Sequence, residues 1–216
     1  MGLINTIIFD FDGLLADSEP IYLKCNRKYL EEIGVKNYAI EDKLFGMRAE
    51  EAFTVIKNEY NLTQDITEMI KKRNAYMIAD FRAGELKMMP FAIDSIHKLS
   101  KKYTLAIGSS SKKELLDEAL AFYDLNSFFQ VIVSGDDVIN GKPEPDIYLK
   151  VANLLNKKPD ECIVLEDSPH GISAGKKAKM ISIAIPNDQT KTLKFYDKPD
   201  YILNNLGELE NFISNI

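Results

Sequence analysis

The sequence predicts an α/β protein: a parallel sheet with helices on both faces, interrupted near its start by an all-helical insertion. Three observations predict it. From Pro90 onward, short apolar runs alternate with segments of helical period, the pattern of strands and helices wrapped around a parallel sheet. Before that, residues 16–85 carry helical patterning alone. The length, 216 residues, suits a core domain with a smaller one inserted into it. The expected units are residues 1–15 joined with 86–216, and residues 16–85 between them.

Each element has its own warrant. Residues 7–9, Ile-Ile-Phe, read as a strand buried on both faces. Tyr22, Leu23, Tyr29, Leu30 and Ile33 follow at roughly helical spacing, and Gly34 is a natural stop. A helix over 49–60 places Ala52, Phe53 and Ile56 on one face, and another over 66–82 carries Met69, Ile70, Tyr76, Met77 and Phe81. After Pro90, Ile93, Ile96 and Leu99 mark a helix, and 103–107 is a strand running into Gly108-Ser109-Ser110-Ser111. Leu115, Leu116, Ala119, Leu120 and Tyr123 mark the next helix, 130–133 a short strand, and Ile147, Val151, Leu154 and Leu155 a further helix face. Strand 162–165 ends at Glu166-Asp167, a helix of small residues covers 172–179, and strands at 181–185 and 201–203 complete a Rossmann-like order.

Composition bounds the function. Hydrophobic residues at 45% and charged residues at 28% are those of a globular protein with a sizeable core. A net charge of −6, with no basic stripe, argues against nucleic acid as a partner. No membrane span or signal peptide is apparent, and the N-terminus leads directly into the first strand. Cys25 and Cys162 lie far apart in apolar segments without metal spacing, and read as buried thiols of a reducing, cytoplasmic compartment. Met1-Gly2-Leu3-Ile4-Asn5-Thr6 fits a myristoylation pattern and Asn61-Leu62-Thr63 a glycosylation sequon. The first runs into a core strand and the second has no secretion signal beside it, so both read as chance matches.

In open α/β sheets ligands bind just beyond the carboxyl ends of the strands, and four strand ends carry polar residues here. Asp10-Phe11-Asp12-Gly13 follows the first strand. If the extended conformation persists, both carboxylates face one side, and Gly13 lets the chain turn. Solvated acids at a strand end fit this stretch, and so does an aspartyl nucleophile with a second acid for the leaving group's proton. A calcium loop does not, because its glycine belongs at the sixth loop position after a helix. At the second end, Ser109 is followed by Ser110, Ser111 and Lys112, and Ser111 with Glu114 fits a capping box. A helix starting there either offers free N–H groups to an anion or is simply well capped. Gly141-Lys142-Pro143-Glu144-Pro145-Asp146 holds Lys142 on a stiff loop, with Asp146 able to start a helix. At the fourth end, Glu166 and Asp167 precede Ser168, a good N-cap, and Pro169 at the first helical position.

Carboxylates converging on one sheet edge repel. At ~4 Å and an effective dielectric near 20, each pair costs about 4 kcal/mol. A divalent cation and Lys142 offset this, and all-oxygen ligation points to Mg²⁺. Mg²⁺, a lysine, hydroxyls and a helix N-terminus are together what a transferring phosphoryl group requires.

The segments D-F-D-G-L-L-A-D-S-E-P, G-S-S-S-K, G-K-P-E-P-D and L-E-D-S-P-H-G-I occur in that order. Jointly they resemble the haloacid dehalogenase-like phosphohydrolases, in the β-phosphoglucomutase-like branch with an α-helical cap, over essentially the whole chain. The resemblance implies that Asp10 is the nucleophile of a phospho-aspartyl intermediate and Asp12 the general acid, then base. Ser109 and Lys142 would hold the phosphoryl oxygens, Lys142 also steadying Asp10. Asp10, the backbone carbonyl of Asp12 and Asp167 would bind Mg²⁺, with Glu166 in or beside that shell. Ser110, Ser111 and Lys112 would face the substrate's distal groups. Residues 16–85 would be the cap, whose Gly46-Met47-Arg48 turn either aims Arg48 at a substrate anion or carries an ordinary surface arginine. His97 and His170 read as structural.

The implied partner is a small phosphorylated metabolite, above all a sugar phosphate, and a monomer is compatible with the sequence. The alternative within the family is β-phosphoglucomutase, which moves a phosphoryl group between C1 and C6 of glucose phosphate. Mutases resembling this chain carry a histidine at the position of Tyr22 and a cap lysine near Ile78, where Lys71 or Lys72 would have to substitute. A tyrosine, with an unperturbed pKa near 10, cannot shuttle a proton at neutral pH as histidine does. Net hydrolysis is therefore expected. A signalling receiver domain also phosphorylates an aspartate, but on a middle strand and without a helical insertion.

Overall fold

The computed structural model describes residues 3–36 and 47–215. Met1 and Gly2 of the myristoylation-like pattern and Gly46 of the Arg48 turn lie outside the described residues. The chain opens with β1 (Thr6–Phe9) and a two-residue strand, β2 (Ala16–Asp17). Helices α1 (Glu19–Glu32), α2 (Ala49–Glu59) and α3 (Ile66–Arg82) follow, and the chain returns through β3 (Lys87–Met88), antiparallel to β2. The alternating half is α4 (Ala92–Leu99), β4 (Thr104–Gly108), α5 (Lys113–Phe122), β5 (Phe129–Val133), α6 (Asp146–Leu154), β6 (Cys162–Glu166), α7 (Pro169–Lys177), β7 (Ile181–Ala184), β8 (Tyr201–Ile202) and α8 (Leu209–Ile213).

Among the described residues, six strands form one parallel sheet in the order β5-β4-β1-β6-β7-β8. The chain winds outward from β1 through β4 to β5, then returns to the other side of β1 for β6, β7 and β8. The order therefore reverses between β1 and β6, and the crevice at such a switch point is where open sheets bind ligands.

Strand parity sorts the core. Ile7 and Phe9 of β1, Leu105 and Ile107 of β4, and Ile163 and Leu165 of β6 pack with α4, α5 and α8 on one face. Ile8, Ala106, Cys162 and Val164 pack with α6 and α7 on the other. Central strands buried on both faces need apolar residues at every position, which is why they read as unbroken runs. The insertion has a cluster of its own, with Tyr29 and Leu30 of α1, Phe53 and Ile56 of α2, and Met69 and Ile70 of α3. Further along α3, Met77 and Phe81 join the main core. Arg82 forks onto Glu118 of α5, and Asn74 donates to Glu114 of the same helix at 2.6 Å.

The structure departs from expectation in two places. The insertion begins with β2 rather than a helix, because Ala16 and Asp17 pair with Met88 and Lys87 across the two connections. Helix α8 was not expected from the sequence. No helix among the described residues is long and apolar enough to cross a membrane.

Candidate active site

Asp10 follows directly from β1, its N–H donating to the Leu165 carbonyl of β6 at 3.0 Å. The register of β1 against β6, Phe9 beside Leu165, sets Asp10 beside Glu166. Asp167 comes next, and these three buried acids can each turn an oxygen to within 4.8 Å of the others. Lys142 reaches into them from the loop before α6, its Nζ 2.5 Å from Asp10 Oδ1 and 2.6 Å from Glu166 Oε1. Glu166 also accepts from the buried Tyr148 hydroxyl at 2.6 Å, and from the Ser168 N–H and Oγ at 3.2 and 3.0 Å. Ser168 in turn accepts from the Gly171 N–H at 3.1 Å as the N-cap of α7.

Helix α7 lies close enough that a Cβ at Gly171 would come 1.7 Å from Glu166 Oε1. Tyr148 crosses beneath Gly108, where a Cβ would come 3.1 Å from the ring. Both glycines are there for close approach.

One lysine does not neutralise three acids. Burial pushes Asp10 up to about 8, against Lys142 and helped by Glu166 and Asp12. Burial, with Glu166 and Asp10 adding to it, raises Asp167 well above the usual carboxylate range. Burial opposes the charge on Lys142, but Asp10 and Glu166 more than restore it and the ammonium persists. Asp10 and Asp167 thus favour protons that a divalent cation would displace. Buried, all-oxygen and short by at least one positive charge, Asp10, Glu166 and Asp167 fit a metal site.

The Asp12 side chain stands apart from this trio and turns to hydroxyls. It accepts from Ser18 Oγ at 2.6 Å, Ser111 Oγ at 2.5 Å and Ser109 Oγ at 3.2 Å. Ser109 Oγ accepts from the Ser111 N–H at 3.1 Å. Tyr22 OH lies 2.7 Å from Ser111 Oγ. Because Ser111's one proton is committed to Asp12, Tyr22 is the donor in that contact. Burial and the nearby Asp12 raise the Tyr22 phenol, which keeps it a donor.

This geometry corrects the expected capping box. Ser111 serves Asp12, Lys112 is the N-cap residue and makes no side-chain capping bond, and Asp136 Oδ2 accepts from the Lys113 N–H at 2.9 Å. A carboxylate of the protein itself therefore occupies the N-terminus of α5. Lys112 is likewise paired, with Asp136 at 2.8 Å and with Glu50 of α2 at 2.5 Å. Ser110 contributes its carbonyl to the close approach of Gly135. Arg48 donates to the Gly135 and Ile139 carbonyls at 2.8 and 3.2 Å. His97 packs at a tilt against Phe128, while His170 lines the cavity and stacks on Tyr196.

Asp10, Asp12, Asp167, Lys142, Ser18 and Ser111 line a cavity of about 410 Å³, within the range of small-molecule sites. Its far wall comes from the insertion: Glu19, Tyr22, Asn26, Arg48, Glu50 and Arg73. Arg73 is buried, with its guanidinium over the rings of Tyr22 and Phe53, and it donates to Asn74 Oδ1 at 2.8 Å. No carboxylate among the described residues forms an ion pair with it. Asn26 Oδ1 is buried without a hydrogen-bond partner among the described residues. Burial, with Asp12 adding to it and Arg73 opposing, pushes Glu19 up to about 7. Arg73 and Asn26 escaped the sequence reading. The signal for Arg73 was there, since it shares a helical face with Met69 and Met77.

The family model described as haloacid dehalogenase-like hydrolase matches residues 7–185. The chain belongs to the haloacid dehalogenase-like hydrolases. Among relatives, a phosphorylated carbohydrates phosphatase of Thermotoga maritima is 34% identical over 81% of this chain and 82% of its own. Hexitol phosphatase B of Escherichia coli is 29% identical over 95% of this chain and 94% of its own. The fold matches the crystal structure of CbbY from Rhodobacter sphaeroides in complex with phosphate, with a TM-score of 0.88, 24% identity and 96% of each chain covered. In this haloacid dehalogenase-like hydrolase, Asp10, Asp12, Ser109, Lys142, Glu166 and Asp167 all meet at the sheet's switch point, and the insertion walls the cavity above them.

Proposed function

We propose that this phosphohydrolase removes the phosphoryl group from small phosphorylated metabolites, sugar phosphates above all, through a phospho-aspartyl intermediate on Asp10 and with Mg²⁺ bound. The observation that carries the reading is Lys142 held between Asp10 and Glu166, 2.5 and 2.6 Å from them, with Asp12 among three serine hydroxyls alongside. Lys142 holds one oxygen of Asp10 and leaves the other to attack phosphorus. The P–O bond to the leaving group breaks as the new bond forms, and the departing alkoxide takes a proton from Asp12. Asp12, now a carboxylate, removes a proton from water, which attacks the acyl phosphate and frees Asp10 and inorganic phosphate. Serine hydroxyls donate to a carboxylate and accept from a carboxylic acid, so the same three partners suit Asp12 in both states.

Ser109 and Lys142 hold the phosphoryl oxygens. Mg²⁺, held by Asp10, Asp167 and the Asp12 carbonyl with Glu166 beside it, would neutralise phosphoryl charge. Residues 16–85 act as the cap, and the core is residues 1–15 with 86–216. Glu19, Asn26 and Arg73 face the part of the substrate beyond the phosphoryl group. Ser110, Ser111, Lys112 and Arg48 lie at the join of cap and core, where substrate contact and closure meet.

Tyr22 favours hydrolysis over mutase chemistry, because its proton is committed to Ser111 and its phenol does not titrate near neutrality. The test is a screen of phosphorylated metabolites for phosphate release with Mg²⁺, beside Asp10→Asn and an EDTA control. Asp10→Asn should fold and lose activity by several orders of magnitude, and EDTA should abolish it. Supplied with β-glucose 1-phosphate and catalytic glucose 1,6-bisphosphate, the protein should yield inorganic phosphate faster than glucose 6-phosphate. The opposite ratio would make it a mutase.

A further inference from the structure

Asn187 lies in the loop after β7, outside the four strand-end motifs. Its side-chain oxygen accepts from the N–H groups of Gln189 and Thr190 at 2.8 and 3.0 Å, and from Thr190 Oγ1 at 3.3 Å. Thr190 Oγ1 accepts from the Asn187 N–H at 3.0 Å, and Thr190 is fully buried. The oxygen end of the amide is thus committed to its own turn, and reversing the amide would set its NH₂ against these donors. The amino end therefore faces the site. It donates to Asp167 Oδ2 and to the Gly13 carbonyl, both at 2.9 Å.

Gly13 has φ +77, and a Cβ there would come 2.5 Å from Asp167 Oδ2 and 2.8 Å from Asn187 Nδ2. One amide thus joins the carboxylate of Asp167 to the turn just past Asp12.

We infer that Asn187 is a positioning residue for the divalent cation site: it fixes Asp167 through Oδ2 and leaves Oδ1 as the oxygen free for the cation. The inference rests on the metal reading above. An acid confined this way needs no reordering when the cation arrives, and outer partners of metal ligands typically contribute about 10–100-fold to affinity. The tie to Gly13 also fixes the distance between the metal-side acid and the turn that carries Asp12.

The test is cation affinity, with Mn²⁺ as the probe and its free paramagnetic signal as the readout. Asn187→Ser retains an oxygen that can accept from the Thr190 N–H, as serine does in such turns, but is too short to donate to both Asp167 and Gly13. It should bind Mn²⁺ about 10–100-fold more weakly, while its melting temperature in EDTA stays at the wild-type value. Asn187→Ala should show the same affinity loss and stands in if the serine variant fails to fold. Wild-type Mn²⁺ affinity in either folded variant overturns this inference alone. No Mn²⁺ binding by the wild-type protein overturns the metal reading and this inference with it.

Discussion

Replacing Lys142 by methionine leaves three buried acids without their cation. The side chains of Lys142 and Asp10 are 7% and 9% exposed and that of Glu166 is 0% exposed, so water cannot take over the solvation. Glu166 keeps its bonds from Tyr148 and Ser168, whereas Asp10 loses the one side-chain donor it has among the described residues. Removing one partner from a buried pair costs about 3–5 kcal/mol. In a chain of this length 1 kcal/mol moves the melting temperature by roughly 2–4 °C, so the expected drop is on the order of 10 °C. Asp10 escapes part of the penalty by taking up a proton, which is easier at low pH. The drop in Lys142→Met should therefore be larger at pH 8 than at pH 6. The assay is thermal unfolding followed by circular dichroism in EDTA, at both pH values. A melting temperature within about 2 °C of wild type at pH 8 would refute the reasoning, because a cation that matters to this cluster cannot be removed at so little cost.

Two further outcomes are expected. Gly171→Ala sets a methyl where the Glu166 carboxylate now lies and should cost about 1–3 kcal/mol of stability, with phosphate release falling more than tenfold; a variant as stable and active as wild type would mean that α7 is freer than it looks. Glu19, raised to about 7, binds its proton more tightly in the folded than in the unfolded state, so its contribution is complete below the unfolded carboxyl value and is lost as pH rises through 7. Asp10, raised to about 8, acts in the same direction. The melting temperature in EDTA should thus fall from pH 5 to pH 8, and fall less in Glu19→Gln; equal slopes would remove Glu19 from the account.

Much of this was legible in the sequence, for identifiable reasons. Strands buried on both faces announce themselves as apolar runs, and the residue after each run is fixed to the sheet edge. That is why the sequence alone puts Asp10, Ser109 and Glu166 at the sheet edge. Contacts made by loops carry no such period. Nothing local marks Ser111 as a partner of Asp12 rather than a helix cap, because the competing acceptor is 99 positions away in the chain. Asp136 similarly reaches Lys112 and the N-terminus of α5 from a separate turn. The β2–β3 ribbon is two residues long on each side, too short for any alternation to show. Asn187 gave no sign either, since a polar loop residue looks the same whether it faces solvent or a carboxylate.

The pairing of β1 with β6, Phe9 beside Leu165, also sets how this sequence can drift. Helices and loops between the four strand ends can lengthen or shorten, because the site is assembled across the sheet and not along the chain. Strand β6 has no such freedom. One residue inserted within it would turn Glu166 to the opposite face of the sheet and away from Lys142. Two would restore the face but carry the carboxylate ~6.6 Å along the strand, past its lysine. Insertions and deletions should therefore accumulate in the connections and be purged from the strands. An engineer grafting this site onto another sheet would need to match strand length to the residue, and could leave loop length open.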